Sequence, residues 1–297
     1  MERFGKKFEK REPKETNDPV NNLFDVAFNK SFDTDDEKNV ESVIERTTES
    51  GAKTTLIYGR HPVVEAIKAG QAFEKIYFQL GVRGEMEVEM RRLTQKAGIP
   101  MSVVPLEKLN SMTRNANHQG VVGMASLVAY QSLADVLPKL FASDKAPLLV
   151  MLDGITDVRN FGAIARSAEV LGANAIIVAQ QNAAPLNAEA IKASAGALMR
   201  LPVCREKSLN GALDTLGAAG VRVLASDLKA KKMLEDCDFV SPVAIVMGAE
   251  DVGVSKHVLQ YADECFLIPQ TGNTDSLNVS VATGIVLYEA LRQRLKK

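Results

Sequence analysis

Six apolar runs dominate the C-terminal half of this chain: PLLVMLD, AIIVA, LPVC, VRVLAS, AIVMG and CFLIP, all between residues 147 and 269. None alternates with period two, and stretches of helical spacing separate them. Such strands must be covered on both faces, which a mainly parallel sheet clothed by helices achieves. The fold class read from this pattern is α/β, with any ligand expected beyond the carboxyl ends of the strands.

Upstream, residues 54–130 alternate in the same way on a smaller scale. TLIYG, EKIYFQL, MSVV and VVGMASLV read as strands; HPVVEAIKAG, GEMEVEMRRLTQKAG and PLEKLNSM read as helices, the first two ended by Gly70 and Gly98. A compact α/β module follows. Residues 131–146 form a link whose short helix is expected to break near Pro138. Residues 1–53 carry ten basic and thirteen acidic side chains, few periodic apolar positions, and Pro13, Pro19 and Gly51. That composition predicts a disordered extension. The division is therefore 1–53, 54–130, 131–146 and 147–297.

Charge narrows the function. The formal net charge is only −1, so bulk electrostatics do not advertise a nucleic-acid binder. Residues 54–130, however, hold nine basic against six acidic side chains, while 131–297 hold seventeen against eighteen. Any RNA affinity is expected in the middle module. Cys204, Cys237 and Cys265 are far apart, as reduced cytoplasmic thiols would be. No apolar stretch follows Lys6, Lys7, Lys10 and Arg11, so neither a signal peptide nor a membrane partner is expected. His61, His118 and His257 are scattered, and no metal site is predicted. A dinucleotide-binding fold would need G-x-G-x-x-G after its first strand, which LDGITDVRNFG lacks; the glycines cluster late, at Gly248, Gly253, Gly272 and Gly284.

Three segments carry the chemistry. Leu152–Ala173, LDGITDVRNFGAIARSAEVLGA, runs from a strand end through a loop into a helix, with Asn160 and Arg166 six residues apart and directed toward one end of that helix. Ala244–Ser255, AIVMGAEDVGVS, places Gly248 and Glu250 just after a buried strand. Residues 272–284, GNTDSLNVSVATG, deliver Ser276 and Asn278 onto the start of the last helix, beside its free N–H donors. In this order and position they resemble the three motifs of the SpoU (TrmH) branch of the SPOUT RNA methyltransferases. YGRHPVVEAI and NHQGVVGMAS likewise resemble the ribosomal-protein-like substrate-binding domain that precedes the catalytic domain in many of those enzymes.

The resemblance implies a C-terminal deep trefoil knot, a homodimer, and methyl transfer from S-adenosylmethionine to a ribose 2′-hydroxyl of RNA. The likeness is greatest to the type specific for a guanosine of large-subunit ribosomal RNA. A transfer RNA methyltransferase and a non-catalytic RNA-binding protein of the same fold are the alternatives. It also assigns Asn160, Arg166, Glu250, Ser276 and Asn278 to catalysis and Gly248, Ile268 and Leu277 to the cofactor. Arg60, His61, Arg114, Asn117, His118 and Gln119 are assigned to RNA. A guanidinium stays protonated, so Arg166 suits gripping a phosphate and stabilising a developing alkoxide better than acting as a base. Val158 stands where many relatives have proline, and Thr274 with Asp275 where Val-Glu is frequent; these bear on loop rigidity and RNA preference.

Overall fold

The computed structural model describes residues 42–47, 53–272 and 276–296. Most of the expected N-terminal extension, and the Thr274 and Asp275 departures, lie outside the described residues. Residues 37–297 form one compact unit containing two sheets.

The smaller sheet comprises β1 (Val43–Thr47), β2 (Lys53–Tyr58), β3 (Phe73–Gln79), β4 (Met101–Val104) and β5 (Val121–Ala125), in the order β1-β2-β5-β3-β4. Only the β3–β4 pair is parallel. Helices α1 (Arg60–Lys68) and α2 (Glu85–Lys96) cover one face, where Val63, Ile67 and Met90 meet Phe73, Ile76 and Phe78. Helix α3 (Leu106–Thr113) covers the other through Leu109 and Met112. Strand β1 corrects the reading of 1–53 as an extension without a core. Its register from Val43↔Ile57 to Thr47↔Lys53 covers the open edge of β2, and Val43 and Ile44 pack against the two cores. The apolar pair was too short to register as periodicity.

Helix α4 (Leu133–Phe141) follows, continuous through Pro138 rather than broken there. Burial of Leu133, Val136 and Leu137 against the larger sheet holds it, and a proline in so short a helix removes only one internal bond.

The larger sheet is parallel throughout, as the unalternated apolar runs require. Its strands are β6 (Leu148–Asp153), β7 (Ala175–Ala179), β8 (Val203–Glu206), β9 (Arg222–Ser226), β10 (Lys232–Met233), β11 (Val243–Gly248) and β12 (Glu264–Leu267). Their order is β10-β12-β9-β11-β6-β7-β8. Helices α5 (Val158–Val170), α6 (Ala188–Ala193) and α9 (Val279–Arg294) lie on one face, packing Phe161, Ile164, Ile191 and Val286 onto Val150, Leu152 and Ile245. Helices α4, α7 (Leu209–Ala218) and α8 (Lys256–Tyr261) lie on the other, around Leu149, Met151, Ile177 and Val246. The chain moves outward from β6 through β7 to β8, then crosses and returns as β11 on the opposite side of β6. The β6–β11 boundary is thus a topological switch point, where loops leave in opposite directions and open a crevice.

Candidate active site at the switch point

Asp153 and Gly248 end β6 and β11 in register with one another. Past them the chain passes close to itself. A Cβ on Gly248 would lie 2.1 Å from Gly253 C and Val254 N, so only glycine fits. Sequence reasoning expected Gly248 to admit a ligand to the backbone; what approaches it here is the chain's own 253–254 segment. The Ser255 N–H donates to Asp153 Oδ2 at 2.8 Å, tying that segment to the end of β6.

Helix α5 begins at Asp157, whose Oδ1 accepts the Asn160 N–H at 2.8 Å. This N-cap holds Asn160 at the crevice. Helix α9 begins at Asn278, whose Oδ1 accepts from Ser280 N at 2.9 Å and Val281 N at 3.3 Å. That leaves the Asn278 amide nitrogen free to turn back, and it donates to Asn160 Oδ1 at 3.0 Å and Glu250 Oε1 at 2.5 Å. Glu250 Oε1 also accepts from Asn160 Nδ2 at 3.0 Å and Val279 N at 3.3 Å. One carboxylate oxygen of the second motif therefore gathers three donors from the other two, joining all three segments in an Asn160–Glu250–Asn278 triangle on the protein surface.

The other expected catalytic residues make no hydrogen bond to it. Ser276 is exposed and forms no hydrogen bond to a described residue. Arg166 is exposed on α5 and likewise makes no hydrogen bond or ion pair to a described residue. Six residues of helix turn it through about 240° net from Asn160, onto a different face of α5. Close by, Ile268 is buried and Leu277 half-buried against the same core.

In the smaller sheet, the RNA-contact candidates gather where β2 ends and β5 begins. The Arg60 N–H donates to Gln119 Oε1 at 3.0 Å, and Arg60 Nη2 reaches Glu89 at 3.4 Å. His61, Arg114, Asn117 and Gln119 are exposed, and Arg114 closes α3 in the left-handed region at φ 56°. His118 differs from the expectation of direct contact. It is buried, its Nδ1 accepts the Gly120 N–H at 3.0 Å, and its Nε2 therefore carries the proton given to Asn110 Oδ1 at 2.9 Å. Burial lowers its pKa below the ordinary histidine value. Its geometry shapes the 114–120 turn.

Sequence reasoning missed Asp157 and Asp153. The first was visible as a D-x-x-N cap signal ahead of a helix; the second acts only through a segment 102 residues away. It also missed a buried network between the sheets. Glu74 on β3 accepts from Tyr130 Oη at 2.9 Å, Ser126 Oγ at 3.0 Å and Leu186 N at 2.9 Å. Arg205 on β8 lies 3.8 Å from the Tyr130 ring centroid and donates to Phe73 O at 3.0 Å and to Gly98 O and Glu74 O at 3.3 Å. Burial raises the Glu74 and Tyr130 pKa values and lowers that of Arg205. The sole signal was a charged residue at a buried position of FEKIYFQ.

The three cysteines are free, Cys204 and Cys237 buried and Cys265 half-buried. Burial pushes the Cys204 thiol up to about 12, aided by Glu206. Among the described residues, no helix is long and apolar enough to cross a membrane.

A parallel α/β domain with a polar cluster at its switch point is of the kind that binds a ligand there. Residues 147–288 match the SpoU rRNA methylase family, and residues 56–131 match the RNA 2′-O ribose methyltransferase substrate-binding domain. The chain is 38% identical over 248 residues to a protein of Mycobacterium ulcerans described as an uncharacterised tRNA/rRNA methyltransferase, covering 82% of this chain and 78% of the relative. Its fold is similar to the SpoU methyltransferase AviRb from Streptomyces viridochromogenes, with TM-score 0.53 and 25% identity over 82% of this chain and 90% of that one. The AdoMet-bound rRNA methyltransferase of Sinorhizobium meliloti is similar at TM-score 0.52 and 26% identity, over 95% and 97% of the two chains. This chain belongs to the SpoU methylase family, and it is an RNA methyltransferase.

Proposed function

We propose that the protein transfers a methyl group from S-adenosylmethionine to a ribose 2′-hydroxyl, on a guanosine of large-subunit ribosomal RNA. The observation that carries this reading is the Asn160–Glu250–Asn278 triangle, which unites the three motif segments at the switch point. Beside it, the backbone at Gly248 and the apolar Ile268 and Leu277 combine polar main chain with apolar surface, a setting that fits an adenosyl group. The donor brings a methyl already activated by its sulfonium, so the residues have mainly to align the hydroxyl and ease loss of its proton. Glu250 holds Asn160 and Asn278 in place; Asn160, Asn278 and Ser276 orient the ribose. Arg166 offers a planar fork to a phosphate and to the developing alkoxide.

Residues 54–130 act as the RNA-binding domain and 147–297 as the methyltransferase domain, joined by 131–146. Arg60, His61, Arg114, Asn117 and Gln119 touch RNA, and His118 positions their loop. The close passage at Gly248 and the Asp153–Ser255 tie support a trefoil knot in the C-terminal segments. Val281, Ile285 and Tyr288 form an exposed apolar stripe on α9, which packs against α5, where Val170 and Arg166 are also exposed. A homodimer burying that stripe brings Arg166 toward the partner's site, which agrees with its lack of a hydrogen bond to the triangle. A cytoplasmic setting agrees with the unpaired cysteines.

The test is incubation with methyl-labelled S-adenosylmethionine and unmodified ribosomal RNA or transfer RNA, followed by nucleoside analysis and site mapping. The expected product is 2′-O-methylguanosine in large-subunit RNA. A methylated base, or a product in transfer RNA alone, would reject the corresponding part of the reading.

A further inference from the structure

A cleft of about 940 Å³ opens between the two sheets, at the end of β3 opposite the Arg60–Gln119 cluster. Its size is at the upper end of ligand pockets, roughly 300–1,000 Å³. The smaller sheet contributes the start of β3 and β4 and the end of α2; the larger contributes residues 180–185 after β7 and the end of β8.

Its electrostatics are one-sided. Lys75, Arg91 and Lys207 line it, and although Arg91 is drawn to Glu87 at 2.8 Å, the two lysines form no ion pair with a described residue. The one carboxylate in the lining, Glu74, is buried and fully engaged by Tyr130, Ser126 and Leu186. Half-buried Tyr77, with Lys75 Nζ 5.8 Å from its ring centroid, shares one face of the smaller sheet with half-buried Met124. Opposite stand the exposed amides of Gln181 and Asn182, neither bonded to a described residue. An aromatic and thioether platform, flanking ammonium groups and free amides are what an unpaired nucleotide uses for its base face, phosphate and base edge.

The cleft is pre-formed and close to the proposed chemistry. Gln180 Nε2 donates to Gly98 O at 3.1 Å, and Arg205 spans the same gap, so the walls are tied together. The Ala184 N–H donates to Ile155 O at 2.8 Å, linking the 180–185 wall directly to the loop that carries Asp157 and Asn160. Strand β7 is the immediate neighbour of β6, and both loops leave the carboxyl end of the sheet.

We propose that this cleft is a second RNA subsite, which takes an unpaired nucleotide flanking the methylated one. The base lies against Tyr77 and Met124, and the phosphate is held by Lys75 and Lys207. The inference rests on the RNA methyltransferase reading, but its test is separable. A fluorescent 12-nucleotide oligouridylate binds the full chain, and the Lys75→Glu, Lys207→Glu double variant binds it at least about tenfold more weakly. The salt dependence of log affinity falls by about 1.4, since each single-strand phosphate contact contributes about 0.7. Affinity for S-adenosylmethionine stays unchanged, and a 4-thiouridine oligonucleotide cross-links to peptides carrying Tyr77, Met124 or Asn182.

Equal binding by wild type and variant, cross-links confined elsewhere, equal affinity for duplex RNA, or equally good competition by polyglutamate would each overturn the subsite. Such results leave methyl transfer intact and the proposed function standing. Loss of binding in the variant, with no 2′-O-methylation by the wild type, would reject the proposed function and retain the subsite.

Discussion

The Asn160–Glu250–Asn278 triangle and the Glu74–Tyr130–Arg205 network both join distant parts of the chain through a carboxylate, but under opposite solvation. Glu250 is exposed and its partners are neutral N–H groups from two helix starts. Glu74 is buried beneath hydroxyls, with the guanidinium of Arg205 nearby, and burial shifts all three titratable groups toward their neutral forms. A surface network can exchange a partner for a ligand because water covers any group left open. A buried one cannot, since each abandoned donor or acceptor bears its full desolvation cost. The first is suited to meeting a substrate; the second fixes how the two sheets face each other.

Four measurements sharpen or break that contrast. The largest effect is expected from Arg205→Ala, which removes a donor from the carbonyls of Phe73, Glu74 and Gly98, the last keeping only Gln180, and leaves Glu74 without its counter-charge. The stability loss should be about 3–5 kcal/mol in urea denaturation. A loss below about 1 kcal/mol would make the network an ordinary surface contact.

On the exposed side, Arg166→Ala should lower single-turnover methyl transfer at saturating RNA by at least about a hundredfold, comparable to losing one preorganised oxyanion donor. Stability and cofactor affinity should hardly change, and Arg166→Lys should not restore full activity because a point charge lacks the fork. Undiminished turnover would remove Arg166 from the mechanism.

Asn278→Ala removes both the α9 cap and two sides of the triangle. It should destabilise by about 1 kcal/mol. Asn278→Asp keeps a capping oxygen but sets a second carboxylate beside Glu250, and should be no more stable than the alanine variant at neutral pH. Equivalence of Asn278→Asp to the wild type in thermal melts would show that the triangle does not hold in solution.

The smallest effect concerns His118. Its pKa is lowered on folding, so the unfolded chain binds the proton first as pH falls. The stability of the neutral, buried form is complete above the ordinary histidine value near 6.5 and declines below it toward the lowered folded pKa. His118→Gln should flatten that acid-side decline. If wild type and variant decline in parallel, His118 is not held neutral by the fold.

Much of this molecule could be read from local pattern. The unalternated strands LLVMLD and VAIVMG imposed a parallel sheet because only two-sided burial suits them, and a parallel sheet places its loops at one end. Asn160 and Asn278 stood out because each opens a helix, where cap chemistry is written in a few adjacent residues. By contrast, β1 escaped notice since its strand character depends on β2 offering an open edge.

What the sequence determined by itself was the list of elements, the order of the three motifs and the residue types at their helix starts, all set by spacing along one short segment. Tertiary structure decided the rest. It made Gly248 a crossing point for its own chain, turned His118 inward, and chose Glu250 as the group that unites segments 90 and 28 residues away. Those outcomes depend on which atoms come within about 3 Å, and at that range the hydrogen bonds and close contacts belong to pairs of residues that no local period connects.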